Sequence, residues 1–227
     1  MPPEPSSFAE YEATDRTAAE HWLSIMGGFH PAPDEAGLPP GTATLLLLAP
    51  REPGFWPEVS AAPEFRDGNP DPLDRWSRRV IGGWAQASRA AALFPFDGPP
   101  YLPFFDWARR TGHAWPSPVA MLVHDRAGLF LSIRGALALT RRIALPGAAP
   151  RPCDTCKTSP CRSACPVDAL ASTGYDLTAC HRYLDTAEGT DCLENGCAAR
   201  RVCPVSRRYP RSPAQSAFHM RAFHRMT

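Results

Sequence analysis

The sequence is nearly without lysine: among 24 basic residues Lys157 is the single lysine and the rest are arginine. That is a bias of composition, so no individual arginine is read as selected for its guanidinium. Net charge is also nearly absent, at +1 from 24 basic and 23 acidic residues, and gives no global pull toward nucleic acid or a membrane surface. Long apolar runs are missing. The Leu45 to Ala49 stretch falls far short of the roughly 20 residues that span a bilayer. Leu, Ile, Val and Phe together number only 41 of 227. The high net charge that accompanies disorder is missing too, so a folded chain is expected. The opening residues carry acids, with no basic segment followed by an apolar one, and so do not read as a secretory signal. The expected location is the cytoplasm, with no membrane association. Neither G-x-G-x-x-G, nor G-x-x-x-x-G-K-[ST], nor H-E-x-x-H occurs, which leaves nicotinamide, P-loop and zinc-protease sites without support. Cysteine is absent before Cys153 and after Cys203.

What is there is a concentrated cysteine segment. All eight cysteines fall between those two positions, in two runs and one isolated residue. The first run is Cys153-x2-Cys156-x4-Cys161-x3-Cys165-Pro166. Cys180 stands alone. The second run is Cys192-x4-Cys197-x5-Cys203-Pro204. A disulfide framework would usually staple a whole secreted chain; confinement to one segment favours metal or cluster ligation. Bacterial two-cluster ferredoxins use C-x2-C-x2-C-x3-C-P, with the fourth cysteine of one run bound to the other cluster. Carried onto this chain, that pattern assigns Cys153, Cys156, Cys161 and Cys203 to one [4Fe–4S] cluster and Cys165, Cys180, Cys192 and Cys197 to another. Three of the intervals carry two extra residues. Two structural zinc sites with four thiolates each are the alternative that the same count allows.

Elsewhere the pattern is that of an α+β domain. Thr14–Met26 reads as a helix ending at Gly27-Gly28, and Thr42–Ala49 as a buried strand. Residues 50–70 read as a Pro-rich loop. Asp71-Pro72 has the form of a helix start, with Asp as N-cap and Pro in the first turn. Trp76, Val80, Trp84, Ala87 and Ala91 carry that helix to about Leu93. A shorter helix is expected at Phe104–Arg110. Val119–His124 and Leu129–Arg134 read as a hairpin about Asp125–Gly128, with a further strand in Ala136–Leu145. The organisation expected is an α+β domain over 1–147, a small ferredoxin-like domain over 148–207 whose clusters supply its core, and a basic tail over 208–227. Short helices are expected at Pro166–Ala171 and Thr178–Leu184. From Asn195 onward there are seven arginines and no acids; this basic end either contacts RNA or an acidic partner, or offsets the negative charge of thiolate-ligated clusters. Gly82-Gly83 reads as a site of close helix packing, the tryptophans 22, 76, 84, 107 and 115 as core, and His181, beside Cys180, as a surface residue or a tuner of a cluster.

The segments Cys153-Asp-Thr-Cys156, Cys161-Arg-Ser-Ala-Cys165-Pro166-Val-Asp-Ala-Leu170, Ala179-Cys180-His-Arg-Tyr-Leu184 and Cys203-Pro204 resemble the C-terminal half of epoxyqueuosine reductases, which are related to reductive dehalogenases. The resemblance implies two [4Fe–4S] clusters joined to a cobalamin-binding domain of nitroreductase-like α+β fold. It places the family's catalytic acid nearest Asp97, in Asp97-Gly-Pro-Pro100. The cobalamin stretch that precedes the family's long helix has no match in Asp67–Asp74. The expected function is therefore electron transfer through two clusters to a redox partner protein. The alternatives are a cobalamin-dependent reductase and a zinc-stabilised adaptor.

Overall fold

Four consecutive leucines, Leu45 to Leu48, are almost wholly buried in the computed structural model, which describes residues 8–225. They form the body of a strand covered on both faces, which is why the sequence there shows a continuous apolar run rather than an alternation. In chain order the elements are α1 (Ala9–Glu20), β1 (Leu23–Phe29), β2 (Thr44–Pro50), α2 (Phe55–Ser60), α3 (Pro72–Ala87), β3 (Ala91–Leu93), α4 (Phe104–Arg110), β4 (Ala114–Pro116), β5 (Leu122–His124) and β6 (Gly135–Leu139). They continue with β7 (Leu170–Ala171), β8 (Gly174–Tyr175), α5 (Leu177–Leu184), α6 (Thr190–Asn195), α7 (Ala198–Val202) and α8 (Pro213–Arg225). The protein is mixed α+β with small sheets. Its contacts divide it into two units, Met1–His113 with Ser132–Ala148, and Ala114–Leu131 with Ala149–Thr227. The segment 114–131 thus groups with the cysteine segment, not with the residues that flank it in sequence.

The first unit is built on an antiparallel sheet of order β1-β2-β6-β3. The helix expected over Thr14–Met26 is instead a helix followed by a strand. α1 ends at Glu20, and Trp22 turns the chain at a left-handed φ of 56°. Leu23 and Ile25 then fill the sheet. α1 buries only Ala18, so the apolar residues that suggested a helix belong to the strand. Gly27, at φ 107°, sits in the bulge of β1, where a Cβ would stand 2.7 Å from Thr111 Cβ. The loop expected over 50–70 contains α2, which buries Phe55 and Val59 one turn apart.

α3 buries Leu73, Trp76, Ser77, Ile81, Trp84 and Ala85 at three- and four-residue steps and packs on β3 and β6. Asp71 precedes it as expected but does not cap with its side chain. It adopts a left-handed conformation, and its carbonyl accepts the N–H groups of Asp74 and Arg75. The helix also stops earlier than expected, at Ala87; Arg89 turns left-handed and Ala91–Leu93 pairs with β6. A Cβ on Gly82 or Gly83 would meet nothing within 4 Å, so the expected close packing is not there. Trp76, Trp84 and Trp107 are core, whereas Trp22 is 39 % exposed and Trp115 half-buried.

In the second unit the hairpin is real but differently paired. β4 pairs with β5, Ala114 opposite His124 and Pro116 opposite Leu122. The Asp125–Gly128 turn forms, and His124 and Gly128 exchange both backbone hydrogen bonds at 2.9 Å. The ladder ends there: the Phe130 N–H, which the next rung would use, donates to the Ala127 carbonyl at 3.0 Å, and the outward-facing Leu129 N–H donates to the Ser206 hydroxyl. Pro166–Ala171 is not a helix: Asp168 takes φ 50°, and β7 pairs with β8 as a two-residue hairpin. The basic stretch expected as a tail holds α8, which packs on α6 and buries Gln215, Ser216 and Ala217.

Candidate metal centres

The eight cysteines, all free thiols, stand around two separate cavities of the second unit, four at each. The first cavity, of about 680 Å³, is lined by Cys153, Cys156, Cys161 and Cys203 together with Val123, Leu129, Lys157 and Arg208. Two single-turn helices, Pro152–Asp154 and Pro160–Arg162, present Cys153 and Cys161. Cys203 arrives from the end of α7. Cys161 and Cys203 pack with Val119, Leu129, Leu170 and Ala199 in one buried cluster. Burial pushes the Cys153 and Cys161 thiols above their ordinary value, and the neighbouring Cys203 adds to both shifts.

The second cavity is lined by Cys165, Cys180, Cys192 and Cys197 with Tyr175, Tyr183, Leu184 and Met220. α5 carries Cys180, α6 carries Cys192, and Cys197 precedes α7. This cavity is much the smaller of the two, about 20 Å³. Burial raises the Cys180 and Cys192 thiols; Cys197, Cys165 and Cys192 add to the first of these shifts and Cys197 to the second. Two donors reach sulfur here. The Ala169 N–H donates to Cys165 Sγ at 3.3 Å, and the Tyr175 hydroxyl donates to Cys180 Sγ at 3.1 Å.

Each set is rich in soft donors. Within the second set no carboxylate or imidazole lines the cavity, a donor chemistry that suits zinc and iron–sulfur clusters. Buried thiols resist ionisation unless a positive centre compensates. Among the described residues, no three His, Cys, Asp or Glu side chains are set so as to hold a metal ion as they stand.

His181 is not an isolated surface residue. Its ring stacks on Phe223 at 4.5 Å, and its Nδ1 lies 3.0 Å from His224 Nδ1. His224 Nε2 lies 2.9 Å from Asp185 Oδ1. A neutral His224 that donates from Nε2 to Asp185 leaves Nδ1 as acceptor, so the His181 Nδ1–H is the donor between the two rings. Phe223 also stacks on Tyr175, 9° from parallel at 5.9 Å. Sequence reasoning missed Tyr175, Phe223, His224 and Asp185. Tyr175 lies five residues before Cys180, but no spacing rule marks it, and the other partners are distant in sequence.

Asp97 lies in the first unit, in a turn where its N–H donates to the Phe94 carbonyl. Its carboxylate pairs with Arg78, whose guanidinium lies over the Phe94 and Phe96 rings. Two further histidines make local contacts. His124 is buried and its Nδ1 accepts the Arg126 N–H at 3.0 Å, while His30 Nε2 meets the Ile143 carbonyl at 2.9 Å.

The chain matches no protein-family model, no curated protein and no solved structure. Among the described residues no helix is long and apolar enough to cross a membrane.

Proposed function

We propose that this protein is an electron carrier that holds two [4Fe–4S] clusters, one on Cys153, Cys156, Cys161 and Cys203 and one on Cys165, Cys180, Cys192 and Cys197. The observation that carries the reading is the grouping of the cysteines. Cys203, from the second run, lines the cavity of the first three, and Cys165, from the first run, lines the other. Eight thiolates in two sets of four leave no ligand over for two cubanes.

When bound, such a cluster takes up or gives back one electron. The chain's residues do the rest. The apolar residues Val119, Val123 and Leu129 pack against Cys161 and Cys203 of the first set. N–H and O–H donors point at two sulfurs of the second set, where they favour added negative charge. In this reading the first unit, an α+β domain, docks the redox partner.

The test is iron, acid-labile sulfide, zinc and cobalt per chain on protein purified without oxygen. The reading expects about eight iron and eight sulfide. Zinc in place of iron would replace it with a zinc-stabilised adaptor. Iron with one cobalt would make the protein a cobalamin-dependent reductase and Asp97 the first residue to substitute.

A further inference from the structure

We propose that the Tyr175 hydroxyl sets the potential of the second centre alone, by hydrogen bonding to Cys180 Sγ, and that α8 holds it in place through Phe223. The inference rests on the two-cluster reading. It concerns a residue that the cysteine pattern does not mark.

The geometry is specific. The short β7–β8 hairpin pairs Tyr175 with Leu170 and returns the chain toward α5. The Asp176 side chain accepts the Ala179 N–H at 2.8 Å and so starts α5. This tight reversal brings the Tyr175 hydroxyl 3.1 Å from the sulfur of Cys180, five residues on. Tyr175 is 39 % exposed. What orients it is Phe223 of α8, parallel to it, with His181 stacked on Phe223 in turn. His224 joins His181 to Asp185 and so ties α8 to α5.

A hydrogen bond to a ligating sulfur stabilises the form with more negative charge, which for a cluster is the reduced one. In the step affected, one electron passes from a low-potential one-electron donor to the second centre. No bond is made or broken, and the tyrosine proton stays on oxygen. Removing the hydroxyl therefore makes that centre harder to reduce. The Tyr175 hydroxyl bonds to a sulfur of the second set, Cys180, so the potential of the first centre should stand still.

The experiment uses the full chain purified without oxygen, as wild type, Tyr175→Phe and Phe223→Ala. Iron and sulfide are measured first. Each protein is then reduced stepwise with dithionite against mediator dyes and followed by electron paramagnetic resonance. Tyr175→Phe keeps the ring and its stack and loses only the oxygen. It should keep full iron and shift one of two midpoints downward by about tenfold in the reduction equilibrium, about 59 mV for one electron. Phe223→Ala, which keeps the hydroxyl but frees the ring, should move the same midpoint by less. The shift should persist in a Cys161→Ser background, where only the second centre remains. Unmoved midpoints, or equal movement of both, would overturn the inference. Loss of iron from Tyr175→Phe would also overturn it, by making the hydroxyl a structural requirement. A wild type without iron refutes the two-cluster reading itself, and the iron assay shows that before any potential is read.

Discussion

The backbone N–H of Leu129 donates to the Ser206 hydroxyl at 2.8 Å, with both residues 1 % exposed. This one bond joins the turn after β5 to the segment that follows Cys203. Gly128 makes the approach possible: it adopts φ 58°, and a Cβ there would lie 2.4 Å from the Ser206 nitrogen. Ser206→Ala leaves a buried N–H without its acceptor, which costs about 1–3 kcal/mol. Urea denaturation should show that loss with the slope unchanged, and the Leu129 amide should exchange faster. An unchanged midpoint would show that another acceptor takes over.

Arg134 is buried, and it balances its charge with two partners on α3. Its Nη2 pairs with Asp74, and its Nε donates to Ser77 Oγ at 3.1 Å. Burial alone pushes its pKa down, and Asp74 opposes that shift. Asp74→Ala leaves the guanidinium buried and unpaired. The cost expected is about 2–3 kcal/mol, below that of a fully enclosed pair because Asp74 keeps contact with water. Arg134→Met should cost less than Asp74→Ala, since it removes the charge along with the partner. The reverse order in a denaturant series would contradict this account.

Acid should weaken the first unit through Glu64. This carboxylate is 8 % exposed, and Arg79 grips it at 2.5 and 3.2 Å. The Arg79 hydrogen bond holds the Glu64 pKa below its ordinary 4.5, against the opposing effect of burial. A carboxyl whose folded pKa is depressed contributes its stability above the unfolded value and loses it as pH falls through the folded one. The wild type should therefore exceed Glu64→Gln in stability by a constant margin above pH 4.5, and that margin should shrink on further acidification. Thermal melts of both proteins between pH 3 and 7 check it, the range being set by about the usual carboxylate titration. A margin independent of pH would remove Glu64 from the acid response.

Local signals carried the elements that were legible in the sequence. β2 announces itself by a continuous apolar run, α3 by its helical repeat, and α4 and α5 by compact apolar turns. What was not legible depended on partners far along the chain. The apolar residues of Leu23–Met26 look helical next to α1 until β2 is there to pair with them. Leu129 looks like the start of a second hairpin strand, but the Phe130 N–H that would continue the pairing turns back to the Ala127 carbonyl. The arginine-rich end shows no strong apolar stripe, because α8 buries small and polar residues, Gln215, Ser216 and Ala217. At the candidate centres the cysteines are marked by their spacing. The Tyr175, Phe223, His181 and His224 rings come together only through folding, and no motif records them.

The central claim is the crossed grouping of the cysteines, and iron content in paired variants tests it most directly. Cys161→Ser combined with Cys203→Ser removes two ligands from one set, whereas Cys161→Ser combined with Cys165→Ser removes one from each. The grouping predicts that the first pair keeps about four iron per chain, the load of one cubane, and that the second pair keeps close to none. The opposite result, with iron lost from the Cys161/Cys203 pair and half retained by the Cys161/Cys165 pair, would contradict it.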